Sequence, residues 1–112
     1  MQSYRIGTVN EFKEGTKRVF NHGENEVGVF RLGEKFYAWH NICPHQGGPV
    51  CQGRLYPRVH ENLDENNLNI VCPWHGLEFD VRTGKHPGNE EIALDPLPIQ
   101  IDGGEIYVFV GE

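Results

Sequence analysis

"CPHQGGPVCQG" at Cys43–Gly53 and "VCPWHGLEFD" at Val71–Asp80 each set one cysteine and one histidine close together among prolines and glycines. The pattern is C-x-H, 26 intervening residues, then C-x-x-H, which singles out Cys43, His45, Cys72 and His75. Thiolate and neutral imidazole are ligands of zinc, copper and iron–sulfur centres, and two of each complete either a tetrahedral zinc site or a two-iron centre. Zinc fingers usually group their cysteines together and their histidines together, whereas here each loop supplies one of each. A two-iron centre accounts for that mixing. If the loops approach from opposite sides, both cysteines reach an inner metal and both histidines an outer one.

Outside these loops strand signals dominate. "EVGVFRL" and "KFYAW" flank Gly33-Glu34 and predict a hairpin. Leu97, Ile99 and Ile101 alternate with polar residues, and across Gly103-Gly104 so do Ile106, Val108 and Val110, a second hairpin of period two. "LNIVC" and "LEFDV" read as further strands, the latter with Leu77, Phe79 and Val81 on one face and Glu78, Asp80 and Arg82 on the other. "YRIGTV" reads as a first strand. No segment carries a helical stripe. Tyr56–Asn67, "YPRVHENLDENN", reads as a polar surface excursion.

The chain has 112 residues, enough for one domain with a modest core that a metal cross-link would help to hold. Its 14 glycines and 7 prolines suit a loop-rich β protein. A net charge of −6 leaves no basic stripe for phosphates and argues against nucleic acid. That charge suits docking on a basic protein face, although solubility alone accounts for it. No apolar run approaches a membrane span and the first residues lack a signal pattern, so a cytoplasmic protein without a membrane anchor is expected. Three cysteines are too few for a disulfide scaffold and fit metal binding in a reducing compartment.

With loops and strands together, "CPH" followed by "CPWHG" resembles the Rieske 2Fe–2S motif, and "EFDVRTG" is similar to the stretch after its second loop. The resemblance extends roughly from the first strand to the last and is strongest over Cys43–Gly84. It implies an all-β fold, a Rieske-like antiparallel β sandwich, with residues 1–112 forming one domain. A two-loop cluster-binding subdomain would span about 42–86, and the remainder would form the base. It further implies a Rieske-type 2Fe–2S cluster with Cys43 and Cys72 on one iron and His45 and His75 on the other. Replacing two thiolates by neutral imidazoles makes such a centre easier to reduce, at about −150 to +300 mV against about −400 mV for all-cysteine plant types. The electron should settle on the histidine-bound iron and enter and leave on the His45/His75 side.

In the family's respiratory branch, serine and tyrosine hydroxyls after the second histidine raise the potential and a disulfide pins the loops. The matching positions here hold Leu77 and Phe79, Trp74 occupies the second-loop position, and Cys51 lies further from Cys43 than that pattern wants. A low-potential centre without a loop disulfide is therefore expected. Members of this size and type feed ring-hydroxylating dioxygenases, so the resemblance implies a small monomeric ferredoxin between a reductase and a terminal oxygenase. No facial triad and no G-x-G-x-x-G is recognisable, so the chain is read as an electron carrier and not as an enzyme. Alternatives are a small Rieske-like subunit of a larger reductase of the nitrite reductase type, and a structural zinc site, which would be colourless and redox-inert.

Other residues carry weaker readings. Cys51 is read as a small buried hydrophobe in preference to a redox switch. His22, His40, His60 and His86 have no partner spacing, although His86 and Pro87 match a third loop covering the family's site. Trp74 and Pro44 would shield the metal or simply pack, and Gly47, Gly48 and Gly76 would let backbone approach the sulfides or form tight turns. Glu61, Asp64 and Glu65 on the excursion form a candidate docking patch, with a solvated loop as the plainer reading.

Overall fold

The computed structural model describes residues 2–22, 25–44, 47–57, 68–74, 76–86 and 88–110. Along the chain lie β1 (Gln2–Thr8), β2 (Thr16–His22), β3 (Asn25–Leu32), β4 (Lys35–His40), β5 (Arg54–Pro57) and β6 (Leu68–Val71). These are followed by β7 (Glu78–Asp80), β8 (Lys85–His86), β9 (Asn89–Ala93), β10 (Pro96–Leu97), β11 (Ile99–Asp102) and β12 (Glu105–Val110). Helical structure among the described residues is limited to short 3-10 turns at Val9–Glu11 and Val50–Gln52. The fold is all-β and antiparallel, as the strand pattern predicts.

Four sheets form, in the orders β1-β12-β11, β10-β4-β3-β2, β5-β6-β7 and β8-β9. The two hairpins expected from sequence are present in register, Val29 opposite Ala38 and Ile99 opposite Val108. The first turns through Gly33 at φ 63° and the second through Gly103 and Gly104 at φ 58° and 81°, the left-handed geometry that two-residue hairpin loops require.

The sheet containing β3 and β4 is covered on both faces. Val27, Val29 and Ala38 point one way, into a core with Ile6, Ile106, Val108 and Val110 of the β1-β12-β11 sheet. Phe30, Leu32 and Trp39 point the other way, into a core with Val50, Ile70, Phe79, Val81 and the three cysteines. This is why β3 reads as a nearly continuous apolar run where a half-buried strand would alternate. Each fully buried Phe or Leu stabilises the fold by roughly 1.5–3 kcal/mol. Gly28 of β3 lies directly against Cys51, with no room for a side chain. The Trp39 indole N–H donates to the Val81 carbonyl at 2.9 Å, fastening the segment after β7 to the central sheet.

Several details differ from the sequence reading. β2, β5, β8, β9 and β10 lack a clear period-two signal, and Leu97, read from sequence as part of the C-terminal hairpin, instead pairs with Ala38 of β4. Tyr56 and Pro57 belong to β5, paired with Asn69 and Leu68, and are not the start of the excursion; its remainder, with His60, Glu61, Asp64 and Glu65, lies outside the described residues. Asp80 is expected to face outward but is buried at 3 % exposure, and its Oδ1 accepts the Arg82 N–H at 2.8 Å. Ile101 is half-exposed because β11 is the last strand of its sheet.

Candidate metal centre

Each cysteine opens a tight loop, and the two loops have the same backbone hydrogen bonds. The Cys43 carbonyl accepts from Gly47 N–H at 2.7 Å, and Cys43 N–H donates to the Gly48 carbonyl at 2.8 Å. The Cys72 carbonyl accepts from Gly76 N–H at 2.9 Å, and Cys72 N–H donates to the Leu77 carbonyl at 2.8 Å. Gly47 and Gly76 occupy the same place in the two turns, at φ 77° and 73°. A residue with a Cβ pays a steric penalty in that conformation, which is why both loops carry glycine there.

The repeated geometry brings the two thiols into one core. Cys43 and Cys72 are 3 % and 2 % exposed and share a cluster with Phe30, Val50 and Ile70. Gly48 marks where the loops meet: a Cβ there would lie 2.8 Å from the Trp74 ring and 3.2 Å from Cys72 Sγ. The backbone of the first loop thus reaches the thiol of the second. No disulfide joins Cys43, Cys51 or Cys72. Two buried thiols under facing loops suit a metal that favours sulfur. His45 and His75, which complete the expected ligand set, lie outside the described residues. Among the described residues no three His, Cys, Asp or Glu side chains converge.

The surroundings of the thiols are apolar. Leu77 is half-buried and Phe79 fully buried, so neither residue following the second loop offers a hydroxyl. Ile42 and Trp74, each 56 % exposed, are large apolar side chains beside the two cysteines. Trp74 therefore packs on Gly48 with one part of its ring and meets solvent with the rest. An open cleft of about 390 Å³ flanks the second loop, with Cys72 and Pro73 on one wall and Gln52, Gly53 and Arg54 opposite.

Cys51 behaves differently from the other two cysteines. It is fully buried, and its Sγ lies 3.8 Å from the carbonyls of Trp39 and His40. Burial pushes its pKa up to about 12, so at neutral pH it remains a thiol, which neither ligates nor reacts readily. The buried-hydrophobe reading of Cys51 holds. His86 packs edge-on against Phe79, centroids 6.0 Å apart, and its Nδ1 accepts Gly88 N–H at 3.0 Å. It borders the cysteine core; Pro87 lies outside the described residues. His22 ends β2 and His40 ends β4.

Sequence reasoning missed Asn41. It is 2 % exposed, its Oδ1 accepts Cys51 N–H at 2.7 Å, and its own N–H donates to the Glu26 carbonyl at 2.9 Å. One side chain thereby ties the end of the first loop to its beginning. A lone asparagine before a cysteine gives no periodic signal.

Residues 2–109 match the Rieske [2Fe-2S] domain. The chain is 29% identical over 109 residues to the anthranilate 1,2-dioxygenase ferredoxin subunit of Burkholderia cepacia, covering 95% of this chain and 90% of that one. Among solved structures it is similar to the ferredoxin of carbazole 1,9a-dioxygenase from Nocardioides aromaticivorans IC177, with TM-score 0.74, 30% identity and coverage of 96% and 97%. It also resembles a chain of the complex of reduced oxygenase and oxidized ferredoxin in carbazole 1,9a-dioxygenase, with TM-score 0.75, 28% identity and coverage of 95% and 91%. Duplicate cysteine loops on an antiparallel β scaffold and a match over nearly the whole chain lead to one conclusion: the chain belongs to the Rieske [2Fe-2S] domain family, whose cofactor is a 2Fe–2S cluster.

Proposed function

We propose that this protein is a Rieske-type ferredoxin that passes single electrons from a reductase to a terminal oxygenase. Cys43 and Cys72 would hold one iron of the cluster, and His45 and His75 the other. The observation that supports this best is the pair of matching loops that bury two thiols in one core. When bound, a 2Fe–2S cluster with two imidazole ligands takes up and releases one electron at moderate potential.

The residues around the site favour transfer over catalysis. Phe30, Val50, Ile70 and Phe79 pack beneath the thiols and keep water from that side. Gly48 admits the first loop against Cys72 and Trp74. Ile42 and Trp74 form an apolar rim where a redox partner would dock and shorten the path for the electron. Leu77 and Phe79 offer no hydroxyl to the cluster, which supports a centre at the low end of the Rieske range.

Residues 42–86 would form the cluster-binding subdomain of a single domain. The protein would act as a cytoplasmic monomer that turns over no organic substrate itself. No helix among the described residues is long and apolar enough to cross a membrane. The relatives' names point to an oxygenase as the acceptor.

The test is to isolate the protein anaerobically and measure iron, acid-labile sulfide and the low-temperature electron paramagnetic resonance (EPR) spectrum after reduction. Two irons and two sulfides per chain, with a one-electron signal of mixed nitrogen and sulfur ligation, are expected. A single zinc per chain would overturn the reading. Stable co-purification with a large flavin or haem subunit would instead make the chain a fixed part of a larger reductase.

A further inference from the structure

Asn41 has a split carboxamide beneath the first loop. Its Oδ1 accepts Cys51 N–H at 2.7 Å, while its Nδ2 is buried with no hydrogen-bond partner. The orientation is fixed, because flipping the amide would set two donors face to face. A buried amide donor without an acceptor bears its full desolvation cost, and native proteins rarely leave one so. Nothing among the described residues accepts it.

Cys43 lies two residues on and is likewise buried. Thiolate and sulfide sulfurs of a cluster held there are anionic acceptors, and they gain charge on reduction. We propose that Asn41 is a positioning residue for the metal centre: its Oδ1 locks the first loop shut at Cys51, and its Nδ2 donates to a sulfur of the cluster beside Cys43. The proposal rests on the ferredoxin reading above and deepens it. Where Leu77 and Phe79 supply no hydroxyl, this carboxamide is a side-chain donor that favours the reduced state.

The experiment uses intact, cluster-loaded protein carrying asparagine labelled with ¹⁵N only in the side-chain amide. Pulsed EPR of the reduced protein should show a weak ¹⁵N coupling to the cluster that disappears in Asn41→Asp. That variant keeps an oxygen for Cys51 N–H, so it should retain iron and sulfide while its midpoint potential falls. Asn41→Ala, which carries no charge, should also lower the potential. It should lose iron on dilution about fivefold faster, the rate equivalent of one neutral hydrogen bond. A wild-type spectrum without the coupling, from protein with full iron and sulfide, overturns the donor role. Iron loss from Asn41→Ala at the wild-type rate overturns the loop lock. Wild-type protein devoid of iron and sulfide would defeat the ferredoxin reading itself, an outcome distinct from both.

Discussion

In the first loop the histidine follows its cysteine by two positions, and in the second by three. The backbone does not register the difference. Both cysteines accept from a glycine N–H four residues on and donate to a carbonyl five residues on, and both glycines have the same left-handed φ. Cysteine placement is therefore a property of the repeated turn, independent of the histidine spacing in the sequence. The bulky partner also differs: Trp74 leans from the second loop onto Gly48 of the first.

The largest expected effect is on the cysteines. Cys43→Ser and Cys72→Ser should each reduce bound iron and sulfide by about tenfold or more, because the unfilled ligand position is buried. Equal losses would support equivalent loops; a variant retaining its iron would show that one loop is not a ligand loop. Gly48→Ala comes next. Its added methyl meets the Trp74 ring and Cys72 Sγ, and such overpacking costs about 1–3 kcal/mol, read as a lower Tm of the loaded protein. Trp74→Ala in the same chain should restore most of it.

Gly47→Ala and Gly76→Ala should cost about 1–2 kcal/mol each, and by similar amounts. A Cβ at either position meets nothing within 4 Å, so only the backbone conformation is penalised. Unequal costs would break the duplication.

The smallest effect at neutral pH is at Cys51. Cys51→Ala should cost about 1 kcal/mol and leave iron content unchanged. Its thiol is raised by burial to about 12 from an ordinary value of 9.0, so the folded state holds that proton more tightly. The resulting stability is complete below pH 9 and falls as pH rises towards 12. Denaturant titrations in that window should lose stability more steeply in wild type than in Cys51→Ala. Parallel slopes would place the loss elsewhere.

The sequence revealed the elements whose side chains alternate or whose turns need glycine. Hence β3, β4, β11 and β12 were legible, together with the two loops. β2, "TKRVFNH", was not, because it lies at the edge of its sheet and Arg18 and Asn21 remain exposed. β8 and β10 are two residues long and exist only through pairing. Asp80 misled because alternation predicts a face, while the tight Asp80–Gly84 turn draws the carboxylate inward. At the site, residue type and spacing singled out Cys43 and Cys72, which the structure buries in one core. The equivalence of their loops was hidden by the unequal histidine spacing, and Asn41 by the absence of any local pattern.

The pairing of β1 with β12, Gln2 opposite Val110, has a consequence for biosynthesis. During translation the first strand stays without its neighbour until Glu105–Val110 has left the ribosome, so the sandwich closes late. Iron delivery is best matched to a chain that has emerged past β12, when the scaffold beneath both cysteines is complete.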